Sequence, residues 1–286
     1  MKQKRLKKLN RSTGGTVGIL IVLTLIGAFM AMPLVYAISN SIKPFDELFV
    51  YPPRFFAKNP TFDNFKDLLT VMSSSWVPFT RYLFNTVFVT VVGTVGHIIL
   101  ASLAAYSLSK FEFKGRDTMF QIVVLSLMFT GQVTAIPNYL IMAKLGWVDT
   151  YLSLIVPAIG ASMGLYLMKQ FMEQLLPDAL LEAARIDGAG EVRIFFRIVM
   201  PIVKPAWITL AILTIQSLWG TSGGTYIYSE QLKPLSFALS QIAASGVART
   251  GVAAAVSVVM MIVPIVTFVF SQSQILETMA TSGMKD

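Results

Sequence analysis

Side chains able to do chemistry are sparse in this sequence, and their spacing rules out more than it permits. His97 is the only histidine and cysteine is absent, so neither a thiolate site nor a histidine-based metal site can form from this chain. No G-x-x-x-x-G-K-[ST] phosphate loop, HExxH, C-x-x-C or G-x-S-x-G occurs, so the residues for nucleotide binding and hydrolysis are missing. Two groups remain. One is a dense charged run, Asp178 to Pro201, reading DALLEAARIDGAGEVRIFFRIVMP. The other is a scatter of polar and aromatic residues in or beside long apolar stretches: Asn85, His97, Gln132, Asn138, Gln216 and Trp219.

The bulk of the chain points to a bilayer. Of 286 residues, 55% are apolar and 13% charged, against roughly 25% charged in soluble domains. So few charges cannot cover a soluble surface, and the apolar surplus must face lipid. The net charge of +8 does not indicate nucleic acid, because Lys2, Lys4, Arg5, Lys7, Lys8 and Arg11 supply six of the 23 basic residues just before an apolar run. That is the pattern of an anchor on the cytoplasmic side, beside anionic headgroups.

A helix needs about 20 mostly apolar residues to span the hydrocarbon. Six stretches qualify or nearly so: 15–39, 82–108, 118–142, 150–173, 204–219 and 253–276. The expected fold is therefore all-α and polytopic, with six transmembrane helices. Residues 1–14 and 277–286 form the ends. The first span is long for a signal peptide and reads as retained. Pro137 suggests that the third span ends near Ala135 and gives way to a short interfacial helix. Gly160 and Gly164 form a GxxxG pair in the fourth. Basic residues orient the spans: Lys110, Lys114 and Arg116 flank one connection, and Arg185, Arg193 and Arg197 another. Both then lie in the cytoplasm with the two termini. Asn85, Gln132, Asn138, Gln216 and Trp219 are candidates for a translocation path, with His97 also inside a span. Hydrogen bonding between helices accounts for such residues equally well.

The run 178–201 cannot enter the membrane. It carries seven charges, Asp178, Glu182, Arg185, Asp187, Glu191, Arg193 and Arg197, which at about 3 kcal/mol each would cost on the order of 20 kcal/mol at the bilayer centre. It reads as two short helices around a glycine turn. Asp178 is the expected N-cap, and Leu180, Ala183 and Ala184 share one face. Gly188 and Gly190 stop the first helix. Val192, Phe195, Phe196 and Val199 line the second, which Pro201 limits. Helices this short need a partner surface.

Glu182-Ala183-Ala184, three residues, Gly188, nine residues and Ile198-Val199-Met200-Pro201 resembles the EAA loop of ABC importer permeases, with Met200 in the place of leucine. The resemblance implies a coupling helix seated in a groove of a cytosolic ATPase dimer that binds ATP and magnesium, with no cofactor in this chain. It implies that Glu182 meets a basic group, that Ala183 and Ala184 allow close packing, and that Gly188 makes the turn. Arg185, Asp187, Phe195, Phe196 and Pro201 complete the expected contact set. Residues 15–276 would then be one permease domain of a bacterial inner or plasma membrane protein.

Leu103 to Arg116, Pro33 to Lys43, Ile136-Pro137-Asn138-Tyr139 and Gly283-Met284-Lys285 are similar to the carbohydrate, maltose-type branch of these permeases. That branch implies sugar or oligosaccharide import with a second permease chain and an extracellular solute-binding protein. Trp219-Gly220-Thr221 departs from the Trp-Asn of the branch. Two other classes compete. A stand-alone secondary transporter or channel should carry buried carboxylates, which are scarce in these spans. An intramembrane enzyme should gather its acids, histidines or serines in one place.

Overall fold

The computed structural model describes residues 13–73, 76–244, 246 and 249–282, with side chains no further than residue 272. The basic residues Lys2 to Arg11 and the segment Gly283-Met284-Lys285 lie outside the described residues. Among those described, the chain is helical and contains no strand.

The helices run in order: α1 (Thr13–Ser41), α2 (Phe45–Leu48), α3 (Asp63–Ser73), α4 (Phe79–Lys110), α5 (Arg116–Ser126), α6 (Gly131–Lys144), α7 (Leu152–Ile159), α8 (Ser162–Leu175), α9 (Asp178–Ile186), α10 (Glu191–Ile194), α11 (Met200–Ile202), α12 (Lys204–Trp219), α13 (Leu235–Ala243) and α14 (Thr250–Ser282). Four stretches are long and apolar enough to cross a membrane: α1, α4, the α7–α8 segment and the apolar part of α14. Two bent pairs bring the number to as many as six, if each pair is counted as one span.

The bends correct the expected boundaries. The third span does not break at Ala135. It breaks at 127–130, where α5 and α6 meet at 111°, and Pro137 is accommodated inside α6. Neither half is long enough to span alone. In the fifth, α12 has 16 residues, about 24 Å, and the helical stretch 191–202 enters it at 79°.

α4 is the central strut, packing on α7, α8 and α12, while α1 leans on α14. One apolar core gathers at the C-terminal end of α4 with α8, α9, α10 and α12, centred on Ala105, Met168, Met172, Ile194, Val203 and Leu210. A second joins the N-terminal end of α4 to α3, α13 and α14 through Leu68, Tyr82, Leu239 and Ala255.

The GxxxG pair splits. Gly160 ends α7, with only its own helix nearby, whereas a Cβ on Gly164 would fall 2.1 Å from His97 Nε2. Gly164 therefore lets α8 approach α4 closely. The Ala161 carbonyl beside it accepts the Gly164 amide at 3.3 Å and also lies 3.1 Å from His97 Nε2. His97 Nδ1 lies 2.9 Å from Thr214 Oγ1. This histidine ties α4, α8 and α12 together.

Candidate coupling site

Helix α9 begins directly after Pro177, which occupies the N-cap position, so Asp178 falls in the first turn rather than at the cap. Its carboxylate instead accepts from Lys110 Nζ at 2.6 Å, and the same ammonium reaches the Leu176 carbonyl at 2.6 Å. The buried face is Leu181 and Ala184, not Leu180, Ala183 and Ala184: Leu180 and Ala183 point outward with Glu182. The difference is decided by packing, because α9 meets the core with α4, α8 and α10 through Leu181 and Ala184, and residues 180–184 offer more than one face at helical spacing.

Gly188 makes the turn. Its φ is +78°, the left-handed region that glycine enters without a Cβ penalty. The amide of Gly188 bonds the Arg185 carbonyl and that of Ala189 the Ala184 carbonyl, both at 3.0 Å, which is the paired pattern of a Schellman stop. Gly190 takes no part in that stop. Its φ is −69° and it starts α10 instead.

In the second helix the expected stripe also shifts. Ile194, Phe195 and Val199 are buried, while Val192 and Phe196 are exposed. Pro201 cannot donate to the carbonyl four residues back. The turn ahead of it, Phe195–Val199, opens into a π-helix in which Met200 N bonds Phe195 O. That wider turn changes which side chains share a face.

A polar cluster locks the two helices to each other and to α4. Arg185 Nε donates to Glu191 Oε1 at 2.7 Å, and Tyr106 Oη donates to Glu191 Oε2 at 2.9 Å. The guanidinium lies 5.6 Å from the centre of the Phe111 ring, and Phe111 meets Tyr106 edge-on at 5.4 Å. The hydrogen bond from Arg185, opposed by burial and aided by Tyr106, holds the Glu191 carboxyl below its ordinary pKa. Sequence reasoning gave Tyr106 and Lys110 no role here. The available signal was their i, i+4 spacing at the end of a span, which puts both on one face.

What stays uncovered is a face made of Glu182, Ile186, Val192, Arg193 and Phe196. A shallow concavity of about 630 Å³ opens between Gly188, Arg193 and Phe196. The buried anchors fix this face in orientation while leaving it free to dock.

The translocation-path candidates do not form a site with it. Asn85 is fully buried at the other end of α4: its Nδ2 donates to the carbonyls of Gln231 (2.8 Å) and Lys233 (2.9 Å), and its Oδ1 accepts from Tyr151 Oη at 2.6 Å. The amide is fully occupied in holding the loop before α13. Trp219 is buried too, donating from Nε1 to Met260 O at 3.3 Å. Gln132, Asn138 and Gln216 are exposed on α6 and α12. The same loop is pinned by Asp149, whose Oδ1 accepts the amides of Tyr228 (2.9 Å) and Ser229 (2.8 Å). Inside the span α8, Lys169 pairs with Glu173 at 2.6 Å and lies over the Phe120 ring at 3.9 Å.

Residues 97–279 match the profile of the family described as binding-protein-dependent transport system inner membrane component. The chain is 33% identical over 224 residues to Protein LplC of Bacillus subtilis, covering 76% of this chain and 72% of that one. It is 33% identical over 199 residues to the arabinooligosaccharides transport system permease protein AraQ of Halalkalibacterium halodurans, covering 67% and 68%. In fold it resembles a chain of a bacterial ABC transporter involved in the import of the acidic polysaccharide alginate, with a TM-score of 0.79, 23% identity, and coverage of 93% of this chain and 99% of that one.

Proposed function

Because the chain belongs to the family of binding-protein-dependent transport system inner membrane components, we propose that it is one permease subunit of an ATP-driven importer for a sugar or oligosaccharide. The docked hairpin of α9 and α10 is the observation that carries the proposal. It is anchored on one side by Leu181, Ala184, Ile194 and Phe195, and it is bare on the other. A rigid element with one free face can pass displacement from a closing ATPase dimer into the spans, and a floppy loop would absorb it. The sugar class rests on relatives such as AraQ, whose name specifies arabinooligosaccharides.

In this reading residues 15–276 are one permease domain, Glu182 meets a basic group of the ATPase, and the α9–α10 hairpin lies in the cytoplasm with both termini. A second permease chain, the ATPase dimer and an extracellular solute-binding protein complete the transporter. Gln132, Asn138 and Gln216 remain the polar groups available to a path.

The test is assembly and its disruption. The chain extracted in detergent should copurify with a second permease and ATPase subunits. Glu182→Lys, at an exposed position, should leave membrane levels unchanged and abolish substrate-stimulated ATP hydrolysis by placing like charges together. Sugar transport in liposomes by this chain without any ATPase would end the reading.

A further inference from the structure

The segment following α1 buries two of its charges and leaves several rings bare. Lys43 is 3% exposed and Glu47 6%, whereas Tyr51 is 93%, Phe56 68% and Phe62 71% exposed. Each buried charge is satisfied from within. Lys43 Nζ donates to Asn40 Oδ1 at 2.7 Å and to the Arg54 carbonyl at 2.5 Å. Glu47 accepts the backbone amides of Lys58 (2.8 Å) and Asn59 (2.9 Å). Asn64 seals the base, donating to the carbonyls of Ser41 (3.0 Å) and Lys43 (2.7 Å). A loop facing water would do the reverse, since solvated charge and covered rings are both favoured there.

The aromatic surface also continues one already assigned. No residue in the apolar stretch of α1 is fully buried, so that helix, which packs on α14 along one side, presents most of its apolar surface to lipid. Tyr36 near its end meets Phe55 at 5.5 Å, and Phe55 meets Phe56 at 5.0 Å. Phe55 and Phe56 therefore continue the ring surface of Tyr36 at the end of α1, and Asp46, Arg54 and Lys58 are exposed in the same segment.

We propose that residues 45–62 form an aromatic collar seated in the bilayer interface, at the end of α1 remote from the α9–α10 hairpin. The rings enter the headgroup–acyl boundary, and Arg54 and Lys58 meet lipid phosphates. Together with the contact on α14, the collar fixes the depth and tilt of α1.

The absence of cysteine allows a direct test. Tyr51→Cys, Phe56→Cys and Lys66→Cys, each carrying a nitroxide, are placed in the transporter as purified and reconstituted in vesicles of phosphatidylcholine with phosphatidylglycerol. Oxygen should relax the labels at 51 and 56 more than a water-soluble nickel chelate does, and the order should reverse at 66. Val50→Cys replaces either ring variant that is not recovered. Two outcomes overturn the proposal: the chelate prevailing at 51 or 56, which places the loop in water, or an immobilised label reached by neither reagent, which places protein over it.

Discussion

Arg185 donates to Glu191 across the Gly188 turn at 2.7 Å, so one charge-assisted hydrogen bond sets the angle between α9 and α10 while Tyr106 fixes the pair to α4. The angle of the coupling hairpin is thus controlled from the end of a span. Glu191→Gln or Tyr106→Phe should loosen that angle without unfolding the chain, because the pair is partly exposed and contributes about 1 kcal/mol or less. Both variants should show faster hydrogen exchange at residues 185–191 and reduced transport at normal membrane levels.

The same pair predicts a pH limit. Arg185 lowers the Glu191 pKa in the folded chain, so the stabilisation is complete above the ordinary value for the free side chain and is lost only as pH falls through the lower folded value. Hydrogen exchange at 185–191 should therefore stay slow from neutral pH down to the ordinary carboxylate range. It should quicken at lower pH in the native chain, and Glu191→Gln should remove that acid limb.

Gly188 separates conformational from steric cost. A Cβ there meets nothing within 4 Å, yet φ is +78°, so a substitution costs backbone strain alone, about 1–2 kcal/mol. Gly188→Asn, which tolerates this region, should transport better than Gly188→Val. The valine variant should reach the membrane normally and lose substrate-stimulated ATP hydrolysis. Equal activity of the two variants would show that the turn does not position the face.

Gly164 is the opposite case, limited by space. Gly164→Ala would press on His97 and on Leu210 Cδ1, 2.9 Å away, at about 1–3 kcal/mol for overpacking. Adding His97→Ala should recover part of that loss, because the two changes share one contact. A double variant with the full summed loss in thermal stability would place the strain elsewhere.

Orientation can be read by labelling. A cysteine at Ser73 should react with an impermeant thiol reagent added outside spheroplasts, and one at Arg193 should not. The reverse pattern would put the α9–α10 hairpin on the outer side and remove its coupling role.

The sequence by itself determined the class, because scarce charge and six apolar stretches admit few alternatives to a polytopic helical fold. It also determined the turn at Gly188, since only a local stop suits glycine at that spacing. Tertiary structure alone decided which residues the hairpin buries. The π-turn ahead of Pro201 breaks the uniform period and leaves Phe196 exposed, while α9 meets the core through Leu181 and Ala184 rather than Ala183, a choice its own spacing leaves open. Tertiary structure also decided what Asn85 and Trp219 bond to, the Gln231 and Lys233 carbonyls for the first and the Met260 carbonyl for the second. A lone amide in an apolar run reads the same whether it meets a solute or a loop, and its partners at Gln231 and Lys233 lie well over a hundred residues away. Local period and composition act over a turn or two of helix, whereas the satisfaction of a buried polar group is settled by whatever folding brings beside it.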